Sequence, residues 1–260
     1  MIDIHSHILY GIDDGSQSVE MSLEMLRMSA ASEVTDIFAT PHVNRRGVVP
    51  EWSVITAKTA ELQQQAQAAG IPIRIHTGAE VELNYDTLQF IQAGSRDYCL
   101  AGSRYILCEC TAQSQPDQAE ALLYELMLRE FVPILAHPER YDRIMTRPSR
   151  VLEWMHNGVL AQCNIGSFKG SFGKDTQVRA ENLLGHDMVT FLGSDAHRVE
   201  SRSTDMREGL EAIEAMGGTD TWDTCTFNAK RILEDRVLYP ELPEHWDKPK
   251  KGLLSRLFGK

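Results

Sequence analysis

Seven short runs rich in apolar and β-branched residues, at 2–7, 36–40, 71–77, 104–110, 132–136, 159–165 and 188–194, alternate with helical periodicity along nearly the whole chain. Val19, Leu23, Leu26 and Ala30 fall at i, i+4, i+7 and i+11, a one-sided helical stripe. Residues 53–69 read as a second helix stopped by Gly70. A third, 116–130, opens at Pro116 and carries Leu122, Leu123, Leu126 and Met127 on one side. Helices are also expected near 148–157, 174–185, 204–216 and 226–235. Alternation of this kind means parallel strands joined by helical crossovers. About seven units favour a closed α/β barrel over a doubly wound sheet, with any chemistry gathered where the strands end.

The 260 residues are 42% apolar and 24% charged, enough for one large α/β domain. The net charge of −11 argues against nucleic acid as a partner. No run of about 18 apolar residues exists for a membrane span, and Met1 leads straight into a strand without a signal-type segment. Five cysteines without a Cys-x-x-Cys pair fit a reduced cytoplasm. Nothing divides residues 1–240, which are expected to form one domain, whereas 241–260 differ. There Lys248, Lys250, Lys251, Arg256 and Lys260 with Leu253, Leu254, Leu257 and Phe258 suit a short basic amphipathic helix. Such a segment predicts weak contact with an anionic membrane at best, and disorder in solution.

The chemistry-bearing residues collect at the strand ends. His5 and His7 are two apart on the first strand, so both imidazoles face one side. Asp13-Asp14-Gly15 forms the turn beyond them. Thr40-Pro41-His42, Gly78-Ala79-Glu80, Cys108-Glu109-Cys110, Ala136-His137-Pro138-Glu139-Arg140 and Gly193-Ser194-Asp195-Ala196-His197 close later strands. Taken singly, each has a plain explanation: a chance pair, a solvated carboxylate, an edge strand, a helix cap. Their recurrence at consecutive strand ends argues for a cluster of divalent ions instead, because His76, His156, His186 and His245 do not share the pattern. Mixed imidazole and carboxylate donors suit Zn²⁺, Mn²⁺ or Fe²⁺, and nine are too many for one ion.

These motifs resemble the polymerase and histidinol phosphatase (PHP) superfamily over residues 1 to about 235. Within it they are most similar to the bacterial manganese-dependent tyrosine phosphatases of capsule and exopolysaccharide loci. The resemblance implies a distorted seven-stranded barrel holding three ions. It places His5, His7, Glu80 and Asp195 on the first, and Glu80, Glu109 and His137 on the second, with Glu80 bridging. Asp14, His42 and His197 fall on the third, with Asp13 as the alternative to Asp14. Carboxylates at 14 and 109 favour Mn²⁺ over Zn²⁺. The implied substrate is phosphotyrosine on a bacterial tyrosine kinase that controls polysaccharide export.

Clustered ions clamp a phosphoryl group and lower the pKa of a water, so no protein nucleophile is required. Arg140, next to the 137–139 motif, is placed to fork onto phosphate oxygens, and Asp13 is the candidate general acid. Arg45 and Arg46 are candidate contacts for an acidic phosphopeptide. Gly166 to Gly173, with Lys169 and two aromatics, reads either as a lid over the tyrosine ring or as a plain connection. Cys225 to Arg231 fits the Cys-x5-Arg spacing of thiol phosphatases, but no glycine lies between them and the segment reads as helix. A small-molecule phosphatase such as histidinol-phosphate phosphatase, a metal-dependent nuclease and a non-catalytic phosphoprotein-binding scaffold are the competing functions.

Overall fold

A computed structural model of the chain describes residues 1–246. Nine parallel strands run β1 (Ile2–Ser6), β2 (Asp36–Ala39), β3 (His42–Val43), β4 (Arg74–Thr77), β5 (Glu80–Glu82), β6 (Tyr105–Glu109), β7 (Val132–Ala136), β8 (Leu160–Asn164) and β9 (Phe191–Gly193). They form a curled six-stranded sheet, β3-β5-β6-β7-β8-β9, and a three-stranded sheet, β1-β2-β4. The expected seven strands of one ring are thus nine in two ladders. The physical cause lies at two interruptions. Pro41 lacks the N–H that would carry the second strand onward, so the chain breaks between β2 and β3. Gly78 breaks the next one: a Cβ there would stand 2.7 Å from the Leu100 side chain and 3.4 Å from the Ala39 carbonyl. Past both breaks the ladder resumes with His42 directly opposite Glu80.

Side chains alternate along each strand, and one face changes character with height. On β6 the series Tyr105, Leu107, Glu109 shares a face; on β8 the series is Leu160, Gln162, Asn164. The apolar members join Ile134, Ala136, Phe38 and Phe191 in one buried cluster. The polar members continue that face toward the C-terminal ends. The opposite faces, carrying Ile106, Cys108, Leu135, Ala161, Cys163 and Leu192, belong to the larger apolar cluster shared with the helices.

The expected helices form at Val19–Ala31, Trp52–Ala68, Pro116–Leu128, Pro148–His156, Lys174–Gly185, Arg207–Ala215 and Thr221–Leu233. Ser18 caps the first by accepting from the Met21 N–H. Pro116 and Pro148 sit in the opening turns of theirs, where a missing N–H costs nothing. The last helix starts at Thr221 rather than 226, which puts Cys225 inside it. Beyond the expected boundary at 240, Leu242 and Trp246 still pack against the main apolar cluster. Trp246 stacks on His186 with ring centroids 3.9 Å apart. The amphipathic stretch expected at 248–260 lies outside the described residues.

At the opposite end of the strands, Asp36 is buried and accepts from Arg74 Nε and Nη2 at 2.7 Å and from Thr35 at 2.9 Å, with His76 Nε2 at 2.8 Å. Burial opposes its charge, but these partners hold the carboxyl well below the usual carboxylate range. A depressed folded pKa stabilises the fold above the unfolded value, near 3.9, and that stability is lost as pH falls through the folded value. Asp36→Asn is therefore expected to cost about 1–3 kcal/mol at pH 7. The gap between variant and parent, read by thermal melts, should narrow steadily from about pH 5 downward.

Candidate metal centre

Glu80 is fully buried, and four imidazoles surround its carboxylate. His137 Nε2 stands 2.8 Å from Oε1 and His5 Nε2 3.3 Å from the same oxygen. His42 Nδ1 stands 2.9 Å and His7 Nε2 3.4 Å from Oε2. Burial disfavours the charge, yet His5, His42 and His137 together hold the carboxyl well below the usual range. The nine expected donors all arrive here. Asp195 Oδ1 lies 3.6 Å from His5 and 3.4 Å from His7. Glu109 lies 3.3 Å from His42 Nδ1. Asp14 Oδ1 lies 3.6 Å from both His42 Nε2 and His197 Nε2.

Local geometry explains the convergence. Alternation on β1 aims His5 and His7 together, with their Nε2 atoms 3.2 Å apart. The β3–β5 pairing sets His42 beside Glu80. His137 and Asp195 lie one and two residues past their strands on left-handed backbone, φ 34° and 50°, an uncommon conformation for residues other than glycine.

The donor set and its unmet valences fit divalent ions. Glu80 Oε2, His42 Nδ1, Glu109 Oε2, His137 Nδ1 and His197 Nε2 are buried and make no hydrogen bond of acceptable geometry. Four overlapping groups bring ligand atoms within 4.8 Å of one another: His5 with His7 and Glu80, His7 with His42 and His197, His42 with Glu80 and Glu109, and Asp13 with Asp14 and His42. Burial and the neighbouring His7 push His197 down to about 2, leaving a neutral imidazole, the form that ligates metal.

Asp13, the expected general acid, stands behind His7. Its Oδ2 is 2.7 Å from His7 Nδ1 and accepts the His42 N–H at 2.9 Å, while Oδ1 accepts the Gly15 N–H at 2.8 Å. Burial works against the charge, but His7 and these N–H groups keep the carboxyl far below the usual range. The carboxylate thus stands against His7 Nδ1, on the far side of that ring from the Nε2 that faces Glu80.

Arg140 donates to Asp195 Oδ2 at 2.8 Å. Sequence reasoning missed its companion, Arg202, whose Nη2 lies 2.6 Å from the same oxygen. Both guanidiniums lie over the Phe172 ring, at 4.8 and 5.7 Å from its centroid. Arg202 Nε is a buried donor without a partner. The cation directly past His197 is Arg198, which donates instead to the Asp14 and Gly15 carbonyls; Arg202 returns to Asp195 because the chain turns back through a His197 N–H to Arg202 carbonyl bond of 2.8 Å. Within the glycine-rich segment Phe172 thus faces the arginines, whereas Lys169 pairs outward with Glu208. Arg45 binds both Asp14 oxygens at 3.0 and 3.1 Å. With Arg46, Ile12, Val48 and Pro50 it lines a cleft of about 290 Å³ beside His42. Cys225 is buried with its thiol near the Val189 carbonyl, and burial raises its pKa, which removes it as a nucleophile.

Residues 1–234 match the family described as capsular polysaccharide synthesis, CpsB/CapC. The chain belongs to that family. Among its relatives, the tyrosine-protein phosphatase YwqE of Bacillus subtilis is 31% identical over 94% of this chain and 96% of its own length. The tyrosine-protein phosphatase CpsB of Streptococcus pneumoniae is 29% identical over 92% of this chain and all of its own. A solved structure from work on YwqE and CpsB, described as unique metal-dependent tyrosine phosphatases, superposes with a TM-score of 0.87 at 30% identity. It covers 94% of this chain and 99% of that one. Among the described residues no helix is long and apolar enough to cross a membrane.

Proposed function

We propose that this chain is a metal-dependent protein-tyrosine phosphatase, and that the ring of imidazoles and carboxylates around Glu80 is its active site. That ring carries the reading, and the CpsB/CapC relatives named as tyrosine phosphatases support it over a histidinol-phosphate phosphatase. His5, His7, Glu80 and Asp195 would hold one ion, Glu80, Glu109 and His137 a second, and Asp14, His42 and His197 a third. The hard carboxylates at 14 and 109 favour Mn²⁺. The bridge between Ser6 and Ala196, which brings β1 against β9, supports reading the two sheets as one distorted barrel of seven strand units. The five thiols are all buried and free, which suits a reduced cytoplasm.

Bound ions supply Lewis acidity toward the phosphoryl oxygens and toward an attacking water. The chain's residues do the rest. Arg140 and Arg202, about one-third exposed, present donors beside Asp195 for the phosphoryl oxygens, and Phe172 fixes the planes of both guanidiniums. Asp195 balances their charge. The cleft of Ile12, Val48 and Pro50 accepts the aryl side of the substrate, and Arg45 and Arg46 face the acidic peptide around it. A tyrosine leaving group, pKa about 10, needs little protonation, consistent with Asp13 being committed to His7. The substrate we infer is a phosphotyrosine protein, a bacterial tyrosine kinase of a capsule or exopolysaccharide system.

The test is turnover of phosphotyrosine peptide and histidinol phosphate after chelation and after Mn²⁺ add-back. Activity should vanish with chelator, return with Mn²⁺ and favour the peptide. Peptide turnover that survives complete metal removal would refute the reading. In the same assay Cys225→Ser is expected to retain kcat/KM within about threefold, because a buried thiol of raised pKa supplies no thiolate.

A further inference from the structure

Behind the expected ligands runs a chain of buried carboxamides. His5 Nδ1 is 2.9 Å from Gln162 Oε1. Gln162 Nε2 donates to Asn164 Oδ1 at 3.0 Å. Asn164 Nδ2 donates to Asp195 Oδ2 at 2.7 Å. His5, Gln162 and Asn164 are completely buried and Asp195 nearly so. Gln162 and Asn164 reach the same side because they are two apart on β8. Gly193 on β9 leaves the room they need: a Cβ there would lie 2.6 Å from His5 Cβ and 3.0 Å from Gln162 Nε2.

We propose that Gln162 is a positioning residue that sets which nitrogen of His5 is offered to metal; the idea rests on the metal-site reading above. The direction of the circuit follows from its far end. Asp195 Oδ2 already faces the guanidiniums of Arg140 and Arg202, which can only donate, so that oxygen accepts and Asn164 must turn its NH₂ toward it. That leaves the Asn164 oxygen facing Gln162, which must donate. Gln162 then has only its oxygen for His5, and His5 must carry its proton on Nδ1. The Nε2 lone pair is what remains, and Nε2 is the atom that faces Glu80 and Asp195 Oδ1. The circuit also occupies Asp195 Oδ2, leaving Oδ1 as the ligand oxygen. Both ends therefore converge on one ion. A carboxamide at 162 accepts through Oε1 and donates through Nε2 at once, which neither an apolar side chain nor a carboxylate can do. His7, backed by the carboxylate of Asp13, has the stronger partner, so the two neighbouring imidazoles are unequal donors.

The test measures Mn²⁺ affinity of full-length protein by calorimetry. It also follows the His5 Nδ1 proton by ¹⁵N–¹H spectroscopy of protein loaded with diamagnetic Zn²⁺. The parent should show a slowly exchanging proton on Nδ1. Gln162→Leu should lose that protection and bind Mn²⁺ about ten- to a hundredfold more weakly. Gln162→Glu, which still accepts from His5 but cannot donate to Asn164, should keep the proton and fall between. An Nε2-protonated His5 in the parent would overturn the proposal without any variant, as would Gln162→Leu binding within threefold of the parent. Neither readout depends on phosphopeptide turnover, so failure of the phosphatase reading is told apart from failure of this one.

Discussion

Glu80→Gln is expected to lower kcat/KM on a phosphotyrosine peptide by at least about a thousandfold and to release most of the bound divalent metal. The substitution keeps the size of the side chain and removes only its charge and one acceptor oxygen. Everything around that charge is arranged for it. His5 and His137 meet one oxygen, and His7 and His42 meet the other. An amide can accept through one of those positions at most, and its NH₂ would oppose imidazole nitrogens that must also present lone pairs. Two ions that would share the carboxylate would lose their common ligand together. Elemental analysis of the purified variant beside its steady-state kinetics decides the matter. Near-normal metal content with near-normal turnover would mean that the cluster around Glu80 is not the active site.

Arg140→Ala and Arg202→Ala should act differently. Each is expected to cost about a hundredfold in kcat/KM, roughly 2.7 kcal/mol of transition-state binding, while metal content stays near that of the parent. Asp195 Oδ2 retains Asn164 and the other arginine in either variant, so the ligand is not left unpaired. Inorganic phosphate, as a competitive inhibitor, should bind more weakly in step with the loss. Arg140→Lys should recover little, because an ammonium cannot reproduce a planar fork lying on Phe172. The double variant should lose less than the product of the two single effects, since the guanidiniums share one carboxylate oxygen and one ring. Loss of metal from both single variants would reassign the arginines to holding the site together.

Much of this centre was legible in the sequence because its logic is periodic. His5 and His7 follow from the two-residue repeat of a strand, and His42, Glu80, Glu109, His137 and Asp195 follow from where apolar runs stop. The breaks at Thr40-Pro41 and Gly78-Ala79 were not legible. A run of apolar residues says that a strand forms, not which neighbour it bonds, and the exchange of partners at these breaks depends on the packing of Leu100 and Ala39 around Gly78. Arg202 escaped because it lies in a loop with no repeat to mark it. Adjacent carboxylates at 13 and 14 left two roles undivided; only the distances separate the residue that stands behind His7 from the one that faces His42 and His197. Gln162 and Asn164 read as ordinary strand residues until their amides are seen behind the ligands.

His137 and Asp195 stand on left-handed backbone, as do Glu33 and Glu130, which follow the ends of two helices with exposed side chains. Glycine relieves such a backbone anywhere. At 33 and 130 the change removes only an exposed charge near the Met1 amine and near Arg104, whereas at 137 and 195 it removes a side chain that meets Glu80 or the His5–His7 pair. Anyone toughening this protein against heat therefore has the helix ends to work with. The mouth keeps its tension, and a variant selected for endurance alone would drift toward a sturdier, idle shell.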